Sequence, residues 1–219
     1  MKKTAFIFGA GDYFGFPKLP DGAFIAAADG GFAVLREQGI MPNLAIGDFD
    51  SLGYVPNTPN TPATEVIALP EHKDETDIGA AIRILTERGF SNFHIFGGTG
   101  GRLDHTIGNI ALLAGVSKNG GKAFIYGDKT VITAVTDGEM TFPETAAGTV
   151  SVFAFGGEAS GVTLRGLLYP LEEATLLPEV PLGVSNRFTG QKSTVAVKSG
   201  TVLIMITGEG RLCADFCCP

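Results

Sequence analysis

The stretch FIAAADGGFAVLREQGIMPNLAIGDFDS, residues 24–51, decides the class of fold. It begins with a short apolar strand that stops at Asp29, continues through an amphipathic segment over 32–38, and ends with a second apolar strand that leads into GDFDS. Apolar strands separated by helices are typical of a mostly parallel sheet with helices on its faces. The stretch therefore predicts an α/β fold.

The same alternation continues on both sides of this stretch as far as about residue 127. Further strands are predicted at 4–9, 65–69, 93–96 and 123–126, and helices at 76–88 and 103–116. From about residue 128 the period changes, because alternating segments recur at 131–135, 149–155, 162–164, 193–197 and 201–206 without a good helix. We therefore expect a parallel-sheet domain over 1–127 and a smaller all-β domain, sandwich-like or barrel-like, over 128–219.

Composition and charge exclude several classes of protein. Of the 219 residues 44% are apolar and 18% are charged, so the chain can bury a core and is not a disordered tail. The 16 basic and 23 acidic residues give a net charge of −7, which argues against a nucleic-acid partner. No apolar run reaches the roughly 18–20 residues of a membrane helix. Cys213, Cys217 and Cys218 form neither a disulfide framework nor a convincing zinc motif, so we expect a reduced, cytoplasmic protein.

Aspartates are concentrated in the first half of the chain, with eight up to Ile110 and three after it. Six of them follow predicted strands: Asp29, Asp48, Asp50, Asp74, Asp77 and Asp104. The carboxyl ends of parallel strands share one edge of the sheet, and ligands bind at that edge. The preference of aspartate for turns and helix caps is the alternative explanation, but it would scatter these residues over both edges.

Carboxylates that share a small site repel one another by roughly 4 kcal/mol per close pair at an effective dielectric constant near 20. Either some of them are protonated or a divalent cation holds them together. Ligands that are all oxygen atoms, with no cysteine nearby, favour Mg²⁺. The sequence therefore predicts a magnesium site at this edge.

A glycine-rich segment, GGTGGR at 97–102, supplies candidate phosphate contacts. Its backbone at Gly98 and Thr99 can approach a phosphate closely, the amino terminus of the next helix favours an anion, and Arg102 offers a planar pair of donors. By itself the segment is an ordinary tight turn, but beside the aspartates it predicts phosphate binding. Lys73 is a further phosphate candidate or a solvated surface lysine, and His105 is a base candidate or a packing residue.

The motifs taken together resemble those of the thiamine pyrophosphokinase family. In the first half they are ADGG at 28–31, GDFDS at 47–51, KDETD at 73–77 and GGTGGRLDH at 97–105. GLLYPL at 166–171, VSN at 184–186 and SGTVLIMI at 199–206 resemble the second domain of that family. Four motifs in order and a matching β-rich second half extend the resemblance over essentially the whole chain.

The resemblance implies transfer of a pyrophosphoryl group from ATP to the hydroxyl of thiamine, which gives thiamine diphosphate and AMP. It implies Mg²⁺ as cofactor, a homodimer, an ATP- and magnesium-binding catalytic domain over 1–127, and a thiamine-binding and dimerisation domain over 128–219. The candidate residues are Asp29, Asp48, Asp50 and Asp77 for the metal; Asp48, Asp50, Asp77 and Arg102 for catalysis; Asp29, Lys73, Asp74, Thr76, Gly98, Thr99, Arg102 and Asp104 for ATP; and Ser185 and Asn186 for thiamine.

Several alternatives stay open at the level of sequence. Another Mg²⁺-dependent phosphotransferase with a different small alcohol acceptor would keep the aspartates, and a nucleotide-binding regulator would bind ATP without turnover. Either Asp48 or Asp50 could orient the acceptor hydroxyl. The chain has no tryptophan, so a ring that stacks on thiamine must be Tyr169, Phe188 or another aromatic residue. A plain turn is the alternative explanation for residues 185–186.

Overall fold

The computed structural model of the chain describes residues 2–56, 64–70 and 74–208. The chain divides into two units, of which the first is drawn from residues 1–112 and 125–128 and the second from residues 113–124 and 129–219. No helix within the described residues combines the length and the apolar character needed to cross a membrane.

The first unit alternates strands and helices, as the sequence predicts. Its strands are β1 (Lys3–Phe8), β2 (Phe24–Ala28), β3 (Leu44–Gly47), β4 (Glu65–Ala68), β5 (Phe90–Phe96) and β6 (Lys122–Gly127). Its helices are α1 (Gly31–Glu37), α2 (Asp77–Glu87) and α3 (Leu103–Lys118), and a 3-10 turn covers Asp50–Leu52. Strand β6 and helix α3 are each divided between the two units. The predicted α/β class is confirmed.

The strands of the first unit are ordered β6, β5, β1, β2, β3, β4 across the sheet. Strand β1 runs parallel to β2 and β5, β2 runs parallel to β3, and β3 runs parallel to β4. The last four residues of β1 and all of β3 are buried, which explains why these strands are continuous apolar runs. The turns that follow β1, β2, β3, β4 and β5 therefore all begin at the same edge of the sheet.

Helix α2 packs one apolar face against the sheet. Ile78, Ile82 and Leu85 are buried, and burial of each such side chain stabilises the fold by roughly 1.5–3 kcal/mol. The helix begins after Thr76, whose Oγ1 accepts a hydrogen bond of 3.1 Å from the Gly79 amide. This cap fixes the point at which the chain turns from the edge of the sheet into the helix.

The second unit contains six strands: β7 (Thr130–Phe142), β8 (Thr149–Ala154), β9 (Ala159–Arg165), β10 (Leu171–Leu176), β11 (Gly183–Arg187) and β12 (Ser193–Thr207). Strand β12 pairs antiparallel with β7 along both of its halves, with β9 along its first half and with β8 along its second half. Strands β10 and β11 pair antiparallel with β9 and β8. Apolar residues that alternate along these strands meet in one core, as the alternate burial of β8 illustrates.

Two details of the second unit differ from the sequence prediction. The segments 193–197 and 201–206 form one strand, because the ladder with β7 continues across them with a shift of register between Val197 and Thr201. Gly200 has φ +102° there, and its amide donates a 2.8 Å hydrogen bond to Asp137 Oδ1. Strands β10 and β11 were not predicted, since most of their residues are exposed or half-buried and lack an apolar alternation.

Candidate active site

An open cleft of about 820 Å³ lies at the edge of the first unit where the parallel strands end. The segments that follow β1, β2, β3, β4 and β5 all contribute to it, together with the first half of α3. The sequence-predicted residues that line it are Asp29, Asp48, Asp50, Asp74, Thr76, Asp77, Gly98, Thr99, Arg102 and His105. Lys73 and the three cysteines lie outside the described residues.

Three of the predicted carboxylates form a tight cluster. Asp29, Asp48 and Asp50 each place one carboxylate oxygen within 4.8 Å of the others. At that separation and an effective dielectric constant near 20, each pair of charges repels by about 3.5 kcal/mol. Asp29 is only 9% exposed, and its Oδ1 atom is buried with no hydrogen-bond partner among the described residues. A buried, unpaired carboxylate oxygen is costly unless a cation or a donor completes it.

The backbone around the cluster has an unusual conformation. Asp29 has φ +47° and Phe49 has φ +58°, both in the left-handed region that residues with a side chain rarely adopt. Such a conformation costs about 1–3 kcal/mol and persists only where its surroundings enforce it. The ring of Phe49 is 1% exposed, so burial of this ring anchors the turn that presents Asp48 and Asp50. Gly47 lets the chain pass close to Asp29, because a Cβ there would lie 3.0 Å from the Asp29 Cα.

These carboxylates fit Mg²⁺. The cluster offers only oxygen ligands, in agreement with the preference of this ion for a few carboxylates that leave positions for phosphate and water. The buried, unpaired oxygen of Asp29 is the atom that a cation would complete. Asp77 and Asp74 line the same cleft but are not among the three clustered residues.

The amino terminus of α2 faces the cleft. Asp74, Thr76 and Asp77 all line it, and the Thr76 cap leaves the first turn of the helix in a fixed position. Helix amino termini present unpaired N–H groups and a partial positive charge, which favour phosphate oxygens.

The glycine-rich loop, which we define as residues 97–101, packs against the loop that follows β1, residues 9–12. The amides of Gly9, Gly11 and Asp12 donate hydrogen bonds of 2.8, 2.9 and 2.8 Å to the carbonyl oxygens of residues 96, 97 and 99. A Cβ at Gly97 would lie 2.6 Å from the Gly9 oxygen, and one at Gly100 would lie 2.1 Å from Asp12 Oδ2. These two glycines are therefore needed for close packing of the two loops, in addition to any role toward phosphate.

Tyr13 holds the loop after β1 in place. Its hydroxyl donates a 2.7 Å hydrogen bond to the Gly9 oxygen, and its ring stacks with the rings of Phe8 and Phe16. Burial raises the pKa of Tyr13, so the phenol stays protonated and keeps donating. The sequence analysis did not identify this loop, although a strand followed by glycines and an aspartate is the signal that marked the other turns.

Arg102 and Asp104 form an ion pair. The Arg102 Nη2 atom lies 2.6 Å from Asp104 Oδ2, and both side chains are exposed. The hydrogen bond from Arg102 lowers the pKa of Asp104, and the same bond raises the pKa of Arg102. Arg102 lines the cleft, whereas Asp104 is not among its lining residues.

Asn186 and Ser185 lie in the second unit, on β11. The Asn186 side chain is 3% exposed, and its Oδ1 accepts from the amides of Tyr169 and Arg187, each at 2.9 Å. Its Nδ2 donates to the Tyr169 oxygen at 2.6 Å. Ser185 is exposed with φ +60°. Asn186 therefore fixes the backbone of Tyr169.

The two rings that the sequence analysis named for stacking have different surroundings. The side chain of Tyr169 is 62% exposed. Phe188 packs on the core of the second unit and contacts the Phe142 ring edge-on, with 5.4 Å between the ring centroids. Of the two, only Tyr169 presents most of its surface to solvent.

Comparison with known proteins gives consistent matches over most of the chain. Residues 18–125 match the family model described as "Thiamin pyrophosphokinase, catalytic domain", and residues 139–202 match "Thiamin pyrophosphokinase, vitamin B1 binding domain". A thiamine pyrophosphokinase of Bacillus subtilis (strain 168) is 31% identical over 180 residues, which are 81% of this chain and 84% of that protein. Thiamin pyrophosphokinase 1 of Caenorhabditis elegans is 26% identical over 172 residues, 74% of this chain and 68% of that protein.

Solved structures agree with these matches. The crystal structure of thiamine pyrophosphokinase from Bacillus subtilis has a TM-score of 0.82 at 26% identity and covers 95% of this chain and 100% of that chain. The corresponding structure from Geobacillus thermodenitrificans has a TM-score of 0.78 at 26% identity, with 95% and 99% coverage.

Proposed function

The chain belongs to the thiamine pyrophosphokinase family, and we propose that the cleft of its first unit binds ATP and performs the transfer step. Its activity is the ATP-dependent formation of thiamine diphosphate from thiamine. The observation that supports this location is the meeting, in one cleft, of three clustered carboxylates, the amino terminus of α2 and the glycine-rich loop. The first of these suits a metal ion, and the other two suit phosphate oxygens.

We propose that Asp29, Asp48 and Asp50 hold Mg²⁺, with Asp77 as a further ligand. A bound ion would neutralise charge on the phosphate oxygens and offset the repulsion among the three carboxylates. The protein supplies the ligands already assembled, because the left-handed turn at Phe49 and the buried side chain of Asp29 fix them before any ligand arrives. Preorganised groups of this kind need no rearrangement during the reaction.

The remaining residues of the cleft orient the phosphate chain. The backbone at Gly98 and Thr99 and the first turn of α2 after Thr76 bind phosphate oxygens, and Arg102 exchanges its contact with Asp104 for one with phosphate. The other proposed ATP contacts are Asp29, Lys73, Asp74 and Asp104. The thiamine oxygen forms a bond to the β-phosphorus, the bond from that phosphorus to the bridging oxygen of AMP breaks, and AMP leaves with the electron pair. Asp48 or Asp50 orients the acceptor hydroxyl and receives its proton.

We propose that residues 128–219 form a β-sandwich domain that binds thiamine and makes a homodimer, and that the protein works in the cytoplasm. Ser185 and the remaining N–H of Asn186 are the proposed polar contacts to thiamine. Tyr169 is the proposed stacking ring, because it is largely exposed and its backbone is fixed by Asn186.

The products of the reaction test this function. The purified protein is incubated with ATP, Mg²⁺ and thiamine, and nucleotides and thiamine phosphates are quantified by chromatography, with the Asp48→Asn variant as control. We expect AMP and thiamine diphosphate in equal amounts from the wild type and at least about a 100-fold lower rate from the variant. ADP as product would indicate an ordinary phosphotransferase, and ATP binding without any product would indicate a regulator.

A further inference from the structure

Asn109 lies two turns into α3 and forms part of the floor of the cleft. It is 4% exposed and is one of the few buried polar side chains of the first unit. Its Nδ2 donates a 2.9 Å hydrogen bond to the carbonyl oxygen of Gly98, and its Oδ1 accepts from Thr76 Oγ1 at 3.4 Å. The carbonyl can only accept, so the orientation of the amide is fixed by this pair of partners.

These bonds belong to a chain of contacts that joins three elements. Thr76 Oγ1 also accepts from the Gly79 amide, so hydrogen bonds run from the glycine-rich loop through Asn109 on α3 to the first turn of α2. The loop after β1 binds the carbonyl oxygens of Gly97 and Thr99, and Asn109 binds the carbonyl oxygen of Gly98, which lies between them. Because a glycine backbone can adopt more conformations than that of any other residue, the bond from Asn109 restricts the loop at Gly98.

We propose that Asn109 is a positioning residue for phosphate binding: it sets the glycine-rich loop at a fixed distance from the amino terminus of α2. The backbone N–H groups of both elements then face the same phosphate oxygens. This inference rests on the proposed function of the cleft, and it assigns to Asn109 no contact with the substrate. An amide is required because the residue must donate to a carbonyl and accept from a hydroxyl at the same time.

The test compares Asn109, inside α3, with Asn119, which directly follows the last residue of α3. Asn109→Asp keeps the size and the acceptor but replaces the donor with a charged oxygen that repels the Gly98 carbonyl. The matched control is Asn119→Asp, because Asn119 Nδ2 donates an equal 2.9 Å hydrogen bond to the Gly115 oxygen at the exposed end of the same helix. Dissociation constants for a non-hydrolysable ATP analogue with Mg²⁺ are measured by calorimetry below the melting temperature of each variant, together with the KM for ATP and for thiamine.

We expect Asn109→Asp to weaken binding of the ATP analogue and to raise the KM for ATP by about tenfold, with the KM for thiamine changed less than twofold. Asn119→Asp should leave all three values unchanged. A lowered melting temperature with unchanged nucleotide affinity would overturn the inference, because a purely structural role predicts that result. Asn109→Ala, which removes both hydrogen bonds without adding charge to the cleft, is measured in parallel and should show the same loss of nucleotide affinity. A loss in Asn109→Asp alone would overturn the inference, because it would show repulsion of the phosphates by the added charge.

The calorimetric readout separates this inference from the proposed function. If Asn109→Asp loses nucleotide affinity and the wild-type protein forms no thiamine diphosphate, the role of Asn109 is supported and the proposed function is refuted. Full activity of the wild type with undiminished affinity in the variant would refute the role of Asn109 alone.

Discussion

Replacing Asp29 with asparagine removes one charge from the carboxylate cluster and leaves its shape unchanged. Asp29 places an oxygen within 4.8 Å of oxygens of both Asp48 and Asp50, so the substitution relieves two repulsions of about 3.5 kcal/mol each at an effective dielectric constant near 20. Asp50 is exposed and salt screens its charge, so we expect a net gain of about 1–3 kcal/mol in the free energy of unfolding without Mg²⁺. For a chain of this size that raises the melting temperature by roughly 2–10 °C.

Added Mg²⁺ should make the wild type melt at a higher temperature than Asp29→Asn, the reverse of the order expected without Mg²⁺. A ligand that binds only the folded state stabilises it in proportion to the logarithm of its concentration over the dissociation constant. The melting temperature of the wild type should therefore rise as Mg²⁺ is added, whereas that of Asp29→Asn should rise little. Thermal unfolding followed by circular dichroism, in EDTA and in a Mg²⁺ series at low salt, measures both effects, with Asp21→Asn as a control at an exposed aspartate outside the cleft. An Asp29→Asn variant that melts lower in EDTA and gains as much from Mg²⁺ as the wild type would refute the charge-cluster account.

Substitutions at four further positions test other parts of the structure. Thr76→Val removes the helix cap and should lower the free energy of unfolding by about 1 kcal/mol in thermal melts, whereas Thr76→Ser keeps the hydroxyl and should not lower it. Equal losses of stability in the two variants would argue against the cap. Asp104 has a lowered pKa in the folded state, so its pair with Arg102 stabilises the fold above the ordinary carboxyl pKa, and this contribution is lost as the pH falls through the lowered pKa. Arg102→Ala should return that pKa toward its ordinary value in an NMR titration, and an unchanged pKa would show that another group lowers it. Asn186→Ala should lower the melting temperature, because three backbone groups lose their hydrogen-bond partner. Ser185→Ala should instead raise the KM for thiamine several-fold at an unchanged melting temperature. The reverse pattern would contradict both assignments.

The position of the clustered aspartates could be predicted because it depends on one feature that is visible in the sequence. Asp29 and Asp48 follow directly after apolar strands and Asp50 lies two residues further on, and parallel strands end at a common edge. The left-handed conformations at Asp29 and Phe49 could not be predicted, since no local sequence signal requires them and the buried surroundings enforce them.

Contacts between distant segments account for most of what the sequence did not reveal. The loop after β1 pairs with the glycine-rich loop, which lies more than 80 residues later in the chain, so nothing local in either segment indicates the partner. Asn109 has no local signal either, because asparagine side chains are mostly exposed in proteins and its two partners come from other elements. The sequence indicates two strands where β12 forms one, because residues 198–200 have the composition of a turn while the ladder with β7 resumes after them.

The fate of each phosphorus of ATP tests the transfer step most directly. Thiamine, Mg²⁺ and the purified protein are incubated in separate reactions with ATP labelled at the β-phosphorus and with ATP labelled at the γ-phosphorus, and the labelled products are separated. Attack of the thiamine oxygen at the β-phosphorus predicts that both labels appear in thiamine diphosphate, in amounts equal to the AMP formed. A γ label in thiamine monophosphate with the β label in ADP would contradict pyrophosphoryl transfer by this protein.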